Sequence, residues 1–396
     1  MRAVEVRATP RYAALAILLV LFATGWAANH FAALLPALAD TRGLSRAVLN
    51  GAFGIYALGL LPGLIGGGGL SDRLGRRPVV LCGALVAALG NLIMLAQPDQ
   101  TGIYLGRLIL GAGVGLTVSA GTVWTAEVRG EGGAIAAGVA LTAGFALGPL
   151  FSGLTSQAMS EAVVVPFVVT VALSTTTALA ASRLRIAPHD SNVRASIKST
   201  DDGEGRGTAQ ALKSALPMAV WVFSSASVAM VTMAARIGER YSGPWVPGIA
   251  AAVTLGSGAV VQLIARRMKA GPQAGVLGAT VAAIGFLLAA AGGPAPSLPL
   301  FLVTAVLLGC GYGLCLRDGL NDVETMAPAN VRGIVTGLFY IGAYLGFALP
   351  VLLVVIRPFA GMTAPMLALA GLAAASAVFR VVHLTADRRP CEAVAA

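Results

Sequence analysis

Long apolar runs, each interrupted by a few polar or charged residues, recur along the chain from Tyr12 to Leu384. A helix needs about 20 apolar residues to cross the hydrocarbon core of a bilayer. On that criterion the pattern predicts about twelve membrane-spanning helices and an all-α membrane protein. The spans expected in the first half are Tyr12–Leu38, Ala47–Gly69, Pro78–Ala96, Ile103–Ala126, Gly133–Ser156 and Val163–Ser182. Those of the second half are Ala215–Ile237, Val246–Ala265, Pro272–Gly292, Leu298–Leu320, Gly333–Ile356 and Met362–Leu384. Between the sets lies the polar stretch Arg183–Lys213, which carries Asp201 and Asp202 and reads as a flexible cytoplasmic linker. The expected organisation is therefore a six-helix unit over 1–182, a linker over 183–213, and a second six-helix unit with a tail over 214–396. Tyr12–Leu38 is too long for the apolar core of a secretory signal and is expected to be retained as the first span.

The halves echo each other. Gly111-Ala112-Gly113-Val114-Gly115-Leu116 of the fourth span returns 198 positions later as Gly309-Cys310-Gly311-Tyr312-Gly313-Leu314 of the tenth. At the same offset, Gly144 and Gly148 of the fifth span match Gly342 and Gly346 of the eleventh. Two matches at one offset, half the chain apart, indicate a duplicated six-helix unit.

Composition agrees with a wholly membrane-embedded chain, since 57% of the 396 residues are hydrophobic and only 11% charged, where soluble domains carry about 25% charged residues. The net charge of +10 would suit nucleic-acid binding in a soluble protein. Here the basic residues sit in short loops, where the preference for positive charge on the cytoplasmic side explains them better, and no nucleic-acid partner is expected. With both termini inside, the outer loops hold Arg42, Arg46, Arg236, Arg240 and Arg357, and Arg107 falls within a span. The rest of the 27 lysines and arginines lie in inner loops, linker and tails. That bias orients the chain with both ends cytoplasmic. Cys82, Cys310, Cys315 and Cys391 have no metal-ligand spacing and read as small packing residues, and no metal or cofactor is expected.

Between the second and third spans, Gly68-Gly69-Leu70-Ser71-Asp72-Arg73-Leu74-Gly75-Arg76-Arg77 is a short charged hinge. It resembles the cytoplasmic signature loop of the major facilitator superfamily, Gly-x-x-x-Asp-Arg-x-Gly-Arg-Arg. The resemblance implies a secondary transporter of two pseudo-symmetric six-helix halves. It also implies that the loop latches the halves on the cytoplasmic face, with Asp72 facing the start of the eleventh span near Gly333. Gly68 and Gly75 would let the backbone turn and the helices approach, while Arg73, Arg76 and Arg77 would donate to carboxylates or lipid phosphates. Topogenic positive charge alone would account for the arginines but not for Asp72 or the glycines. The equivalent place in the second half, Ala265-Arg266-Arg267-Met268-Lys269-Ala270-Gly271, keeps the bases without the acid.

Arg107, in Arg107-Leu108-Ile109-Leu110-Gly111-Ala112-Gly113, resembles the family's Arg-x-x-x-Gly-x-Gly element, which is linked to proton movement. It lies only about 6 Å into its helix, so snorkelling to the outer interface is the alternative. Gly144-Phe145-Ala146-Leu147-Gly148-Pro149-Leu150-Phe151-Ser152-Gly153 resembles the Gly-x-x-x-Gly-Pro-x-x-Gly-Gly element of antiporter members, with Ser152 in place of one glycine. Small residues four apart allow close helix packing, and Pro149 frees a backbone carbonyl.

Polar residues inside a membrane are costly and mark candidate sites. Asn29 and His30 lie in the outer part of the first span; His30 is able to titrate near neutral pH or bind substrate, or to make an interhelical hydrogen bond. Tyr340 and Tyr344 are one turn apart and are candidates to line a cavity, or to pack as aromatics. Asp318, Asn321 and Asp322 share one helical face. Arg317 lies about 28 Å from Leu298, so this stretch reads as a solvated helix end, with a charged gate to an arginine of the other half as the alternative. All acidic residues are expected in loops, tails or span ends, which leaves His30, Arg107 and Asp318 as proton-coupling candidates.

The function these features suggest is proton-coupled export of small amphipathic compounds by alternating access, similar to bacterial drug:proton antiporters. The expected partners are a small-molecule substrate, protons and the bilayer of a bacterial cell membrane, and the expected state is a monomer. Nutrient symport or uniport is the transport alternative. A membrane enzyme acting on lipids would require a cluster of loop carboxylates or a nucleophile with a base, and the paired acids Asp201 and Asp202 sit in the linker. ATP-driven pumping would call for a Gly-x-x-x-x-Gly-Lys-[Ser/Thr] loop, which the chain lacks.

Overall fold

The computed structural model describes residues 6–7, 10–129, 133–159, 161, 163–185, 204–238, 240–328 and 331–392. Among them are twelve helical segments long and apolar enough to cross a membrane. They are α1 (Arg11–Arg42), α2 (Arg46–Leu74), α3 (Arg76–Ala96), α4 (Gln100–Arg129), α5 (Ala136–Ala158) and α6 (Val164–Ser182) in the first half. The second half supplies α7 (Gly207–Ile237), α8 (Trp245–Arg267), α9 (Gln273–Ala291), α10 (Leu298–Met326), α11 (Ile334–Ala360) and α12 (Thr363–Thr385). Among the described residues, the exception to helix as regular structure is a two-residue parallel pair, Val6–Arg7 with Leu184–Arg185. Asp201 and Asp202 lie outside the described residues, but helix begins at Glu204, so the last part of the expected linker already belongs to the helix of α7.

Several spans deviate from regular α-helix where the sequence invites it. α1 passes through a tighter 3-10 turn over His30–Leu34 just before Pro36, α7 through a π-helical turn over Val228–Met233, and α11 through a 3-10 turn over Leu345–Ala348 just before Pro350. Such insertions cluster where a helix is bent or carries function.

The chain forms two compact units. The first comprises Met1–Ser199 with Gly243–Ala252, the second Thr200–Ser242 with Val253–Ala396. Each is held together by close backbone packing, and the repeat seen in the sequence is a repeat of that packing. A Cβ on Gly113 would lie 2.5 Å from the Gly83 carbonyl of α3, while Gly111 and Gly115 meet the Tyr56 and Leu60 carbonyls of α2. In the second unit Gly311 abuts Ala282 of α9, whereas Gly309 and Gly313 abut Thr254 and Gly258 of α8. The alternate glycines of α4 and α10 thus present two bare faces to two neighbours at once. Gly144 and Gly148 likewise press on Phe22 and Trp26 of α1, as Gly346 presses on Phe223 and Ser224 of α7. Leu85, Leu89 and Leu92 of α3 form an exposed stripe at helical spacing, as expected of a face turned to lipid tails.

Candidate functional site

The hinge between α2 and α3 is a single residue. Helix runs unbroken to Leu74 and resumes at Arg76, and the turn is made by Gly75 at φ +91°, a region that a side chain disfavours. Gly68 is helical and does not turn the chain, contrary to the reading of both glycines as turn residues. Its carbonyl instead accepts from Ser71 Oγ at 2.8 Å and from Arg76 Nη1 at 3.5 Å. Arg76 is the hub: Nη1 also reaches Ser71 Oγ at 2.5 Å and Asp72 Oδ1 at 2.6 Å, while Nε donates to Glu127 Oε1 at 3.1 Å. Arg77 donates to the Ser182 carbonyl at the end of α6. The loop therefore ties the ends of α2, α3, α4 and α6, all within the first unit. Arg73 is exposed, and so is about two-fifths of the Asp72 side chain.

Arg107 is buried and does not snorkel. Its Nη1 donates to the Ala28 carbonyl at 2.9 Å and its Nε to the Ala52 carbonyl at 3.2 Å. The guanidinium also lies over the rings of Tyr56 (4.3 Å), Phe31 (5.0 Å) and Phe53 (5.3 Å). Among the described residues, this cation of α4 is thus held by carbonyl dipoles and aromatic faces of α1 and α2. His30 is fully buried beside it. Its Nε2 is 2.8 Å from Asn91 Oδ1 of α3, and its ring packs edge-on against Phe167 at 4.9 Å. His30 Nδ1 has no hydrogen-bond partner among the described residues.

Asn29 and the Gly144–Pro149 stretch form one arrangement. Pro149 has no amide hydrogen, so the Phe145 carbonyl loses the helical bond from the residue four positions on. Asn29 Nδ2 donates to that carbonyl at 2.8 Å. Glycines at 144 and 148 let α1 come close enough for the amide to reach. The second unit has a related device: Ser227, 198 positions after Asn29, donates through Oγ at 2.8 Å to the Gly346 carbonyl, four residues before Pro350, although that carbonyl and proline lie three residues beyond the 198-position offset. There the 3-10 turn provides a bond of its own, from the Leu349 amide to the Gly346 carbonyl. Ser152, which replaces a glycine in the family's pattern, is buried, and Gly153 lies against Pro244 and Gly248 of the segment Gly243–Ala252, counted in the same unit.

Tyr340 and Tyr344 belong to an aromatic stack in the second unit. Their rings are 6.2 Å apart, Tyr344 stacks on Phe223 at 4.5 Å, and Phe223 stacks in turn on Phe347 at 4.7 Å.

Around Asp318 the sequence expectation fails. Asp318 and Asp322 are not at a solvated end but buried, each about 1% exposed, and so is Arg380 of α12. Arg380 Nη2 is 2.8 Å from Asp318 Oδ2 and 2.6 Å from Asp322 Oδ2. The arginine belongs to the same unit as the acids, not to the other half. The expected last span, Met362–Leu384, encloses it near its end, yet the charge count places it among the bases of the C-terminal tail. The signal that marks it is the apolar sequence continuing past it, through Val381, Val382 and Leu384. Arg236 departs from expectation in the same way: expected in an outer loop, it is buried and donates to the Ala289 carbonyl at 2.8 Å. Asn91, Ser214 and Ser227, which complete these polar contacts, carry no charge and so leave no signal in the sequence.

Comparison with known proteins agrees with this architecture. A family model described as Major Facilitator Superfamily matches residues 15–351. Among curated proteins, the chain is similar to multidrug resistance protein MdtL of Klebsiella pneumoniae (strain 342), 33% identical over 81 residues, covering 20% of this chain and 21% of that protein. It is also similar to the inner membrane transport protein YajR of Escherichia coli (strain K12), 40% identical over 72 residues, covering 18% and 16%. The match spans about a sixth to a fifth of the length of these relatives. Among solved structures, a POT family transporter in complex with 5-aminolevulinic acid superposes with a TM-score of 0.75 at 14% identity, covering 93% of this chain and 95% of that one, which is a likeness of fold. With twelve spans, a repeated six-helix pattern and a family match over most of its length, the chain belongs to the Major Facilitator Superfamily and is a multi-pass membrane transporter, not an enzyme.

Proposed function

We propose that this transporter exports small amphipathic compounds across a bacterial inner membrane in exchange for protons, by alternating access of its two six-helix halves, with both termini cytoplasmic. The observation that carries the reading is the Asn29–Phe145–Pro149 arrangement. The stretch resembling the antiporter element is packed against α1 through Gly144 and Gly148, and the carbonyl freed by its proline is taken up by a buried amide. The proline within α5 is thereby accommodated in the described state without a fixed charge. The partial similarity to multidrug resistance proteins supports export. In this reading the stacked rings of Phe223, Tyr344 and Phe347 border the path of the cargo, an aromatic surface that suits amphipathic compounds better than sugars or polyanions. Asp72 and Arg76 act in this reading as the cytoplasmic latch, and Arg107 as a fixed internal cation.

The test is a panel of lipophilic cations and neutral drugs in proteoliposomes with an imposed pH gradient, preceded by growth of an efflux-deficient bacterial host on the same compounds. Export that follows the gradient is expected. Uptake of a nutrient with the gradient, or flux of panel members that ignores it, would overturn the antiport reading.

A further inference from the structure

The polar cluster made by Ser214, Asp318, Asp322 and Arg380 carries unmatched charge. Besides its two contacts to the carboxylates, Arg380 donates through Nη1 to Ser214 Oγ and, at 3.4 Å, to the Ser214 carbonyl. Ser214 Oγ is 2.6 Å from Asp322 Oδ2, and the Gly275 amide of α9 donates to Asp318. A Cβ at position 275 would run into the Asp318 carboxylate, so the backbone of α9 closes one side of the site. Four helices surround the acids. α7 offers Ser214, with its chain neighbour Lys213 exposed; α9 offers the Gly275 amide; α10 adds Cys315; α12 offers Arg380, with His383 stacked on Phe379 one turn further. Arg317 sends its guanidinium away, to the Ala270 carbonyl.

Two carboxylates one helical turn apart therefore face a single guanidinium nitrogen in a buried site. With both ionised the cluster has one net negative charge, and an unmatched charge is strongly disfavoured away from water. Like charges this close favour a proton on one of the pair. A second feature points the same way: Arg380 Nε is buried and has no hydrogen-bond partner among the described residues, which leaves a donor for a water through which a proton would arrive.

We propose that Asp318 and Asp322 together bind one exchangeable proton, the proton that drives export, with Ser214 and Arg380 as positioning residues; the coupling role rests on the antiport reading above. One carboxylate oxygen takes a proton from water, an O–H bond forms and the cluster becomes neutral. On the return step that bond breaks, and the proton passes to water on the opposite side. No electrons change hands.

Infrared difference spectroscopy of the purified full-length protein tests the proton site without any substrate. The wild type should show a carboxylic-acid C=O stretch that titrates with pH, lost in both Asp318→Asn and Asp322→Asn. Each variant leaves one acid for one arginine, so the cluster stays neutral and the protein folded. Ser214→Ala should keep the band but shift its midpoint, which a merely structural serine would not do. A titrating band unchanged in both Asn variants overturns the proposal, as does its absence from the wild type. In the transport arm, ethidium export from proteoliposomes under an imposed pH gradient should be lost in both Asn variants. Wild-type ethidium export that ignores the gradient, with the band still titrating, refutes the coupling role through the antiport reading and not through the proton site.

Discussion

The bond between Asn29 and the Phe145 carbonyl should exist because of Pro149, and a double-mutant cycle can measure that dependence. Asn29→Leu keeps a similar volume in α1 but leaves the carbonyl, already deprived of its helical donor, without a partner. An unpaired polar group in a protein interior costs about 1–3 kcal/mol, and measured interhelical hydrogen bonds in membranes average about 0.6 with a maximum near 1.7 kcal/mol. Because the bond is 2.8 Å long and Asn29 is buried, a loss of about 1–2 kcal/mol is expected. Pro149→Ala restores the amide hydrogen, so the helix satisfies Phe145 itself. In that background Asn29→Leu should cost only a few tenths of a kcal/mol, a coupling of about 1 kcal/mol. The assay is reversible unfolding of the four proteins in mixed micelles. The equivalent in the second unit provides a graded control: the Gly346 carbonyl already receives the Leu349 amide, so Ser227→Ala should cost less than Asn29→Leu, under about 1 kcal/mol. An Asn29→Leu cost that is the same in the wild type and in the Pro149→Ala background would refute the reasoning.

Three further outcomes are expected. Arg107→Lys keeps the charge but cannot bond the Ala28 and Ala52 carbonyls and cover three rings at once; stability should fall by roughly 2 kcal/mol or more, and gradient-driven flux should fall with it, as read by unfolding and by proteoliposome assay. Arg76→Gln should destabilise the first unit more than Asp72→Asn, because Arg76 serves Gly68, Ser71, Asp72 and Glu127 whereas the partly exposed Asp72–Arg76 pair alone contributes under about 1 kcal/mol. If Asp72 serves as latch, Asp72→Asn still lowers transport despite its small effect on unfolding. In the loop before α4, the Gly102 amide and then the Gln97 side chain hold the Asp99 carboxyl below its ordinary value. Its contribution is present at neutral pH and lost as pH falls through that lowered value, so Asp99→Asn should flatten the acid side of the stability profile, and an unchanged profile would remove Asp99 as its cause.

Features that repeat or that have a length were legible in the chain. Twelve apolar runs required twelve spans, and the glycine pattern of Gly111–Gly115 and Gly309–Gly313 was visible because close packing leaves no alternative residue. The charged clusters were harder. A charge near the end of an apolar run reads as a boundary, and only the structure reveals that Arg236 and Arg380 lie on the buried side of theirs. Asp318 was visible, but its partner lies 62 positions away on a helix whose register the apolar pattern does not define. Asn29 and Pro149 each stand out in the sequence, yet their link depends on which face of α1 meets α5, and hydrophobic periodicity says little where every face is apolar.

The two units share their backbone packing but not their charges, and this division has a physical cause. Glycine pairs and proline-freed carbonyls govern how closely helices approach and where they bend, and a duplicated scaffold needs them in both copies: Gly113 and Gly311, Pro149 and Pro350, Asn29 and Ser227. A buried charge must instead be matched by the particular surroundings of one site. Position 305, the counterpart of Arg107, is an alanine, and the first unit satisfies its arginine with carbonyls and aromatic rings. The second unit satisfies Arg380 with two acids that over-neutralise it. A guanidinium among dipoles is one fixed charge, whereas two carboxylates facing one guanidinium, when both are ionised, leave a negative charge unmatched in a buried site. On the proposal above, the exchangeable proton is therefore sought in the second unit, while Arg107 serves as a fixed charge where α1, α2 and α4 meet.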